Sequence, residues 1–317
     1  MTDIRVADVF FRPETESLRF LPEGPYHTTR SGELSWVGIQ HGKNSRVGSL
    51  NLLNLETKNN QSFELPGRPG FAFACDDGLS FVVGCERSIG RFTPQTGVWN
   101  PFCEGIDRDV DNTIINDGMI WEDNLLFGTK DLEFKTKKAG LYLWRGSDRQ
   151  LIRLRDDQIC SNGKAIRETA AGLELLDIDS PTKQVAAYRL DITAGTLGKR
   201  RVVIDLSNDP AVPDGMILTP DGDGVIVSMF HPGQAPRGEA RHYDLASGDL
   251  ITVWQTPGSP QNTCPQLIAL NSRIALIMTT AVENMDEATL AECPNAGCLF
   301  IGDTDFDRVT PMPIFAA

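Results

Sequence analysis

The stretch EDNLLFGTKDLEFKTKKAGLYLWRGSDRQ, Glu122 to Gln150, has a simple internal grammar. A turn opens it, an apolar run of strand length follows, a polar spacer separates that run from LYLW, and a second turn closes it. Runs of this length, rich in aromatic and aliphatic residues and punctuated by Gly, Asp and Asn, read as β-strands. The same grammar recurs outward in both directions. GELSWVGIQHGKNSRVGSLNLLNLETKN begins at Gly32 and DGLSFVVGCERSIGRFTPQTG at Asp77; AGLELLDIDSPTKQVAAYRLDITAG begins at Ala171 and GDGVIVSMFHPGQAPRGEARHYDLASGDL at Gly222. A sixth copy, NSRIALIMTT, begins at Asn271 and resumes as AGCLFIGDTDF after an insertion, Glu283 to Pro294, long enough for one helical turn.

Six copies at intervals of about 45 to 50 residues match the period of four-stranded propeller blades. A solenoid of that period needs helices in each repeat, and the helical periodicity is missing. The expected fold is therefore all-β, a six-bladed β-propeller with a metal site on its central axis. One domain is expected to span residues 1–317, with Ile4 to Phe11 completing the last blade.

Composition narrows the function. The formal charge of −13 disfavours a nucleic acid or an anionic membrane as partner, because both need a basic surface. The charged N-terminus does not read as a signal peptide, and no window approaches the roughly 18 apolar residues of a membrane span. A cytoplasmic protein, monomeric or weakly homo-oligomeric, is expected. The seven cysteines include no C-x-x-C and read as reduced, buried thiols, with a Cys293–Cys298 pair disfavoured. The four histidines lack zinc-site spacing.

In a propeller, equivalent positions of successive blades converge on the axis. Four such segments put an oxygen-bearing side chain before a glycine: PEGPYH (Glu23), INDGM (Asn116 and Asp117), SNGKA (Asn162) and PDGMI (Asp214). Each reads locally as a turn at the entrance to a strand, and Asn162-Gly163 in particular as a type I′ hairpin turn. Together, two carboxylates and two amide carbonyls make a hard-oxygen cage suited to Ca2+, or to Mg2+ and Mn2+ with added water. One divalent cation is expected, Ca2+ first; Zn2+ is the poorest match among the alternatives.

These motifs, in this order, resemble the senescence-marker-protein/gluconolactonase/luciferin-regenerating-enzyme family of six-bladed propellers. The resemblance runs from about Glu23 to the C-terminal AGCLFIG. It implies metal ligation by Glu23, Asn162 and Asp214, with Asn116 as a fourth ligand or a substrate contact. It implies that Asp117 braces its loop and that Glu133 touches substrate. It implies a lactonase in which Asp214 is the base, water activated by the cation itself being the competing route. A phosphotriesterase on the same cage and a non-enzymatic binding propeller are the alternatives.

The departures are local. Ile114 stands where the family's sugar lactonases place a substrate-binding Arg, Tyr26-His27 follow EGP, and Lys130 replaces a common Met. Lys130 is expected to hold an anionic substituent of a small lactone substrate. Cys264 reads as a buried thiol and His27 as a turn residue.

Overall fold

The computed structural model describes residues 2–310 and 314–316. Its sheets form a six-bladed β-propeller. Blade 1 runs from the axis outward as Pro22–His27, Glu33–Gly38, Ser49–Asn54 and Asn60–Glu64. Blade 2 is Pro69–Ala74, Phe81–Cys85, Ser88–Thr93 and Val98–Cys103, and blade 3 is Thr113–Trp121, Asn124–Asp131, Ala139–Arg145 and Gln150–Gln158. Blade 4 holds Ser161–Thr169, Gly172–Asp179, Gln184–Asp191 and Arg201–Asp205, with the short Thr196–Leu197 also on its third strand. Blade 5 is Val212–Leu218, Gly224–Phe230, Arg237–Asp244 and Leu250–Pro257.

Blade 6 closes the ring from both chain ends. Asn262–Leu270, Arg273–Thr280 and Leu299–Asp303 are joined by Asp8–Phe11, antiparallel to the third of these. The N-terminal stretch is thus divided, contrary to the single strand expected over Ile4 to Phe11. Only its second half completes the last blade. Asp3–Val6 pairs in parallel with Thr252–Gln255 on the outer edge of blade 5. Buried Ala7 lies between them, in a cluster with Trp254 and Phe300. One chain end thereby covers an exposed edge and ties two blades together.

Burial explains the sequence pattern. Middle strands pack on both faces against neighbouring blades, so Asn124–Asp131 is buried throughout, its polar ends as well as its apolar centre Leu125–Phe127. Outer strands face solvent on one side, and Gln150–Gln158 is mixed accordingly. The blade interfaces carry the core: Phe71, Phe127, Ile115 and Tyr142 pack together, as do Leu176, Val185, Val225 and Val227. Each such side chain contributes on the order of 1.5–3 kcal/mol when fully buried. The insertion in blade 6 holds a short helix, Glu287–Glu292, whose first turn is capped by the Asp286 carboxylate on the Thr289 N–H. A second short helix, Glu16–Arg19, was not anticipated. All seven cysteines are buried and free. Among the described residues no helix is long and apolar enough to cross a membrane.

Candidate active site

The four Gly-backed motifs are not turns. PEGPYH, INDGM, SNGKA and PDGMI all lie inside the innermost strands, and Gly163 has no left-handed backbone. What they share is a break in register. Pairing with the second strand shifts between Glu23 and Tyr26, Ile115 and Asp117, Asn162 and Lys164, and Pro213 and Met216. The same shift occurs in blade 2 between Pro69 and Phe71 and in blade 6 between Asn262 and Pro265. A bulge leaves a residue unpaired and re-aims side chains. Here it turns Glu23, Asn116, Asn162 and Asp214 toward the axis.

The glycines serve close approach. A Cβ on Gly163 would lie 2.5 Å from the Met216 backbone nitrogen and 2.7 Å from the Asp214 carbonyl oxygen. On Gly70 it would lie 2.8 Å from the backbone of Asn116. Inner strands at the axis are too close for a side chain at these points.

The axial residues form one polar cluster. The Asn116 Nδ2 donates to Asn162 Oδ1 at 2.7 Å and to the Ser161 carbonyl at 2.9 Å. The Asn162 Nδ2 donates to Ser180 Oγ at 2.8 Å, and Ser180 Oγ donates in turn to the Pro213 carbonyl at 2.6 Å. This chain fixes the Asn162 amide with its oxygen toward Asn116 and links blades 3, 4 and 5. Glu23 accepts from the Gly24 N–H, and Asp117 accepts from the Gly118 N–H at 2.6 Å. Asp117 therefore stands in a strand as a third axial carboxylate, where a loop brace was expected.

Electrostatics bind the carboxylates into a unit. Burial pushes the Glu23 carboxyl well above the usual range, and the charges of Asp214 and Asp117 add to the rise. Asp214 is raised likewise, by burial first and then by Asp117. Asp117 is raised by burial, with the Lys164 charge and the Gly118 N–H opposing. Lys130, a buried residue bridged to Cys160 of blade 4, pulls both Glu23 and Asp214 back down. Ile114 is buried and pairs across the strands with Lys130.

The other expected residues lie elsewhere. Glu133 is exposed on the turn after the second strand of blade 3, where it accepts from Asn112 at 3.2 Å, and it is not brought into the cluster. His27 Nε2 lies 3.1 Å from the Leu267 carbonyl, near the far end of its strand, and burial lowers its pKa. Cys264 is buried with its thiol pKa pushed up by burial. Sequence reasoning missed Ser180 and Glu283. Ser180 follows a strand end that carries no motif. Glu283 begins the insertion of blade 6, and its charge reaches Asp214 and Cys160.

The donor set suits a hard divalent cation. Two like-charged carboxyls buried together are costly unless protonated or neutralised, and amide oxygens stand beside them. Among the described residues no three His, Cys, Asp or Glu side chains form a group able to hold a metal ion. The expected set therefore depends on the Asn oxygens as well as on Glu23 and Asp214.

Residues 21–282 match the family described as the SMP-30/Gluconolactonase/LRE-like region. The chain belongs to that family. Among its relatives, regucalcin of Danio rerio is 25% identical over 291 residues, covering 88% of each chain. A Bacillus subtilis protein named "Putative sugar lactone lactonase YvrE" is 28% identical over 314 residues, 95% of this chain and 97% of its own. A calcium-binding protein, regucalcin, from Agrobacterium tumefaciens shares the fold, with a TM-score of 0.81 and 21% identity over 100% of both chains.

Proposed function

We propose that this protein is a divalent-cation-dependent lactonase that opens a small lactone bearing an anionic substituent. The observation that carries the reading is the buried cluster of Glu23, Asp214, Asn116 and Asn162, with the Lys130 charge acting on both of its carboxyls. Family membership and the lactonase name of YvrE support the reaction class. The calcium-binding regucalcin relative supports Ca2+ as the first choice of ion.

Glu23, Asn162 and Asp214 would hold the cation, with Asn116 as a fourth ligand or substrate contact. Once held there, the cation supplies Lewis acidity toward the ring carbonyl. The remaining work falls to the chain. Asp214 takes the proton of the attacking water and returns it to the ring oxygen as the acyl C–O bond breaks. Lys130 attracts the anionic substituent as a point charge in a site of low dielectric. Ile114 closes the wall with an apolar surface, which disfavours polyhydroxylated rings there.

The test is turnover by metal-stripped protein to which Ca2+, Mg2+, Mn2+ or Zn2+ is restored. Substrates are a panel of neutral and carboxylated lactones and the phosphotriester paraoxon. Cation-restored hydrolysis of lactones, carboxylated ones preferred, is expected. Preference for paraoxon would move the reading to a phosphotriesterase, and inactivity on every substrate would leave a binding propeller.

A further inference from the structure

The axial cluster sits where the inner strands begin, but a cavity of about 500 Å3 lies beyond it, in the half of the channel where those strands end. Its walls are largely apolar: Met119, Ile166, Met216, Leu218 and Leu267 line it, with Thr310 of the C-terminal segment at one side. A volume of this size in a mostly apolar concavity is that of a small-molecule site.

Its polar groups are one-sided. Asp117 reaches it from the axis, and Glu122 and Glu168 add carboxylates at its exposed rim. Lys164, the one cation lining it among the described residues, is already engaged: its ammonium donates to Ser161 Oγ at 2.8 Å and to the Asn162 carbonyl, and lies 3.6 Å from Asp177. Gln266 borders the cavity, is 3% exposed, and its Oε1 has no hydrogen-bond partner among the described residues. A buried acceptor without a donor is uncommon and costs about 1–3 kcal/mol.

We infer that the exit half of the channel is a second binding site, for a small apolar molecule carrying a protonated amine. The hydrocarbon body fills the walls and excludes water. The ammonium donates to Asp117, whose carboxylate among the described residues accepts only its own neighbour's N–H, and a second N–H meets Gln266. An anion would face three carboxylates and find no unengaged cation. The site meets the axial cluster at Asp117 and opens toward the strand ends, away from Ile114 and Lys130 at the strand starts.

Calorimetric titration of Ca2+-loaded full-length protein with phenethylammonium, 2-phenylethanol and 3-phenylpropionate tests this. Saturable 1:1 binding is expected, with the ammonium tighter than the alcohol and the carboxylate weakest. Leu218→Trp or Met119→Trp, whichever is folded by circular dichroism, should abolish binding by filling the cavity while leaving lactone turnover unchanged. Asp117→Asn should weaken the ammonium at least about tenfold and leave the alcohol unaffected. The inference is overturned if no probe saturates, if the carboxylate binds as well as the ammonium, or if filling the cavity leaves affinity intact. Competition with Ca2+ at one-to-one stoichiometry would overturn it too, by placing the amine in the axial cluster.

Discussion

All six inner strands shift register near the axis, yet blades 1, 3, 4 and 5 use the shift differently from blades 2 and 6. In the first group it presents Glu23, Asn116, Asn162 and Asp214. In the second it falls at Pro69-Gly70, which offers no carboxylate or amide, and just after Asn262, whose buried amide oxygen is taken up within the fold by the Thr256 hydroxyl at 3.2 Å. Thr263 Oγ1 instead donates to the Pro22 carbonyl at 2.7 Å, joining blade 6 to blade 1. The irregularity therefore belongs to the architecture, and the chemistry belongs to four side chains placed on it.

The sharpest way to break this contrast is to remove a side chain from the first group. Asp214→Ala and Glu23→Gln should each lower cation-dependent lactone kcat/KM by at least about a thousandfold with the fold intact, since each removes charge from the reacting centre. Full turnover in either variant, measured beside circular dichroism, would dissolve the distinction between the groups. A smaller effect is expected at Lys130. Lys130→Met should raise KM for carboxylated lactones about ten- to a hundredfold and leave neutral lactones little changed. An equal loss on both substrates would mean that Lys130 only balances the carboxylates.

The shared backbone role can be tested without touching a ligand. Gly70→Ala and Gly163→Ala each force a Cβ into the next inner strand, and each should cost about 1–3 kcal/mol by denaturant titration. Gly70→Ala presses on the backbone of Asn116 and should lower activity and cation affinity per folded molecule less than Gly163→Ala does. Gly163→Ala should lose both, because it displaces the backbone of Asp214. Identical kinetic effects would contradict the division.

The smallest expected signal is a pH dependence. Glu23 and Asp214 have folded pKa values above their unfolded ones, so the folded state holds these protons more tightly. In chelator-treated protein their contribution to stability is present below about pH 4 and is lost as pH rises through the raised folded values. Melting temperature in EDTA should therefore fall across that window. Saturating Ca2+ should raise it at neutral pH, and Asp214→Asn should flatten the slope. A cation-independent profile would count against ligation.

Much of this was legible in the chain itself. Six turn-strand-spacer-strand units fixed the blade number, because every blade must alternate apolar strands with polar turns to be buried on two faces. The oxygen-before-glycine pattern marked Glu23, Asp117, Asn162 and Asp214 at equivalent blade positions, and Asn116, one residue ahead of Asp117, came from the family resemblance. The turn reading of Asn162-Gly163 failed for a physical reason. A glycine that permits a tight turn and one that permits a neighbouring backbone look alike in sequence, and only the register between strands separates them.

The remainder was decided in three dimensions. Ser180 became a clamp on Asn162 because blade 5 brings the Pro213 carbonyl to its hydroxyl. Glu283 joined the electrostatics of the axis from an insertion with no motif. The N-terminus divided between two blades because each offered an open edge. Residue types and their periodicity are local and can be read along the chain. Which charges share one buried space depends on contacts between residues hundreds of positions apart, and those exist only once the ring is closed.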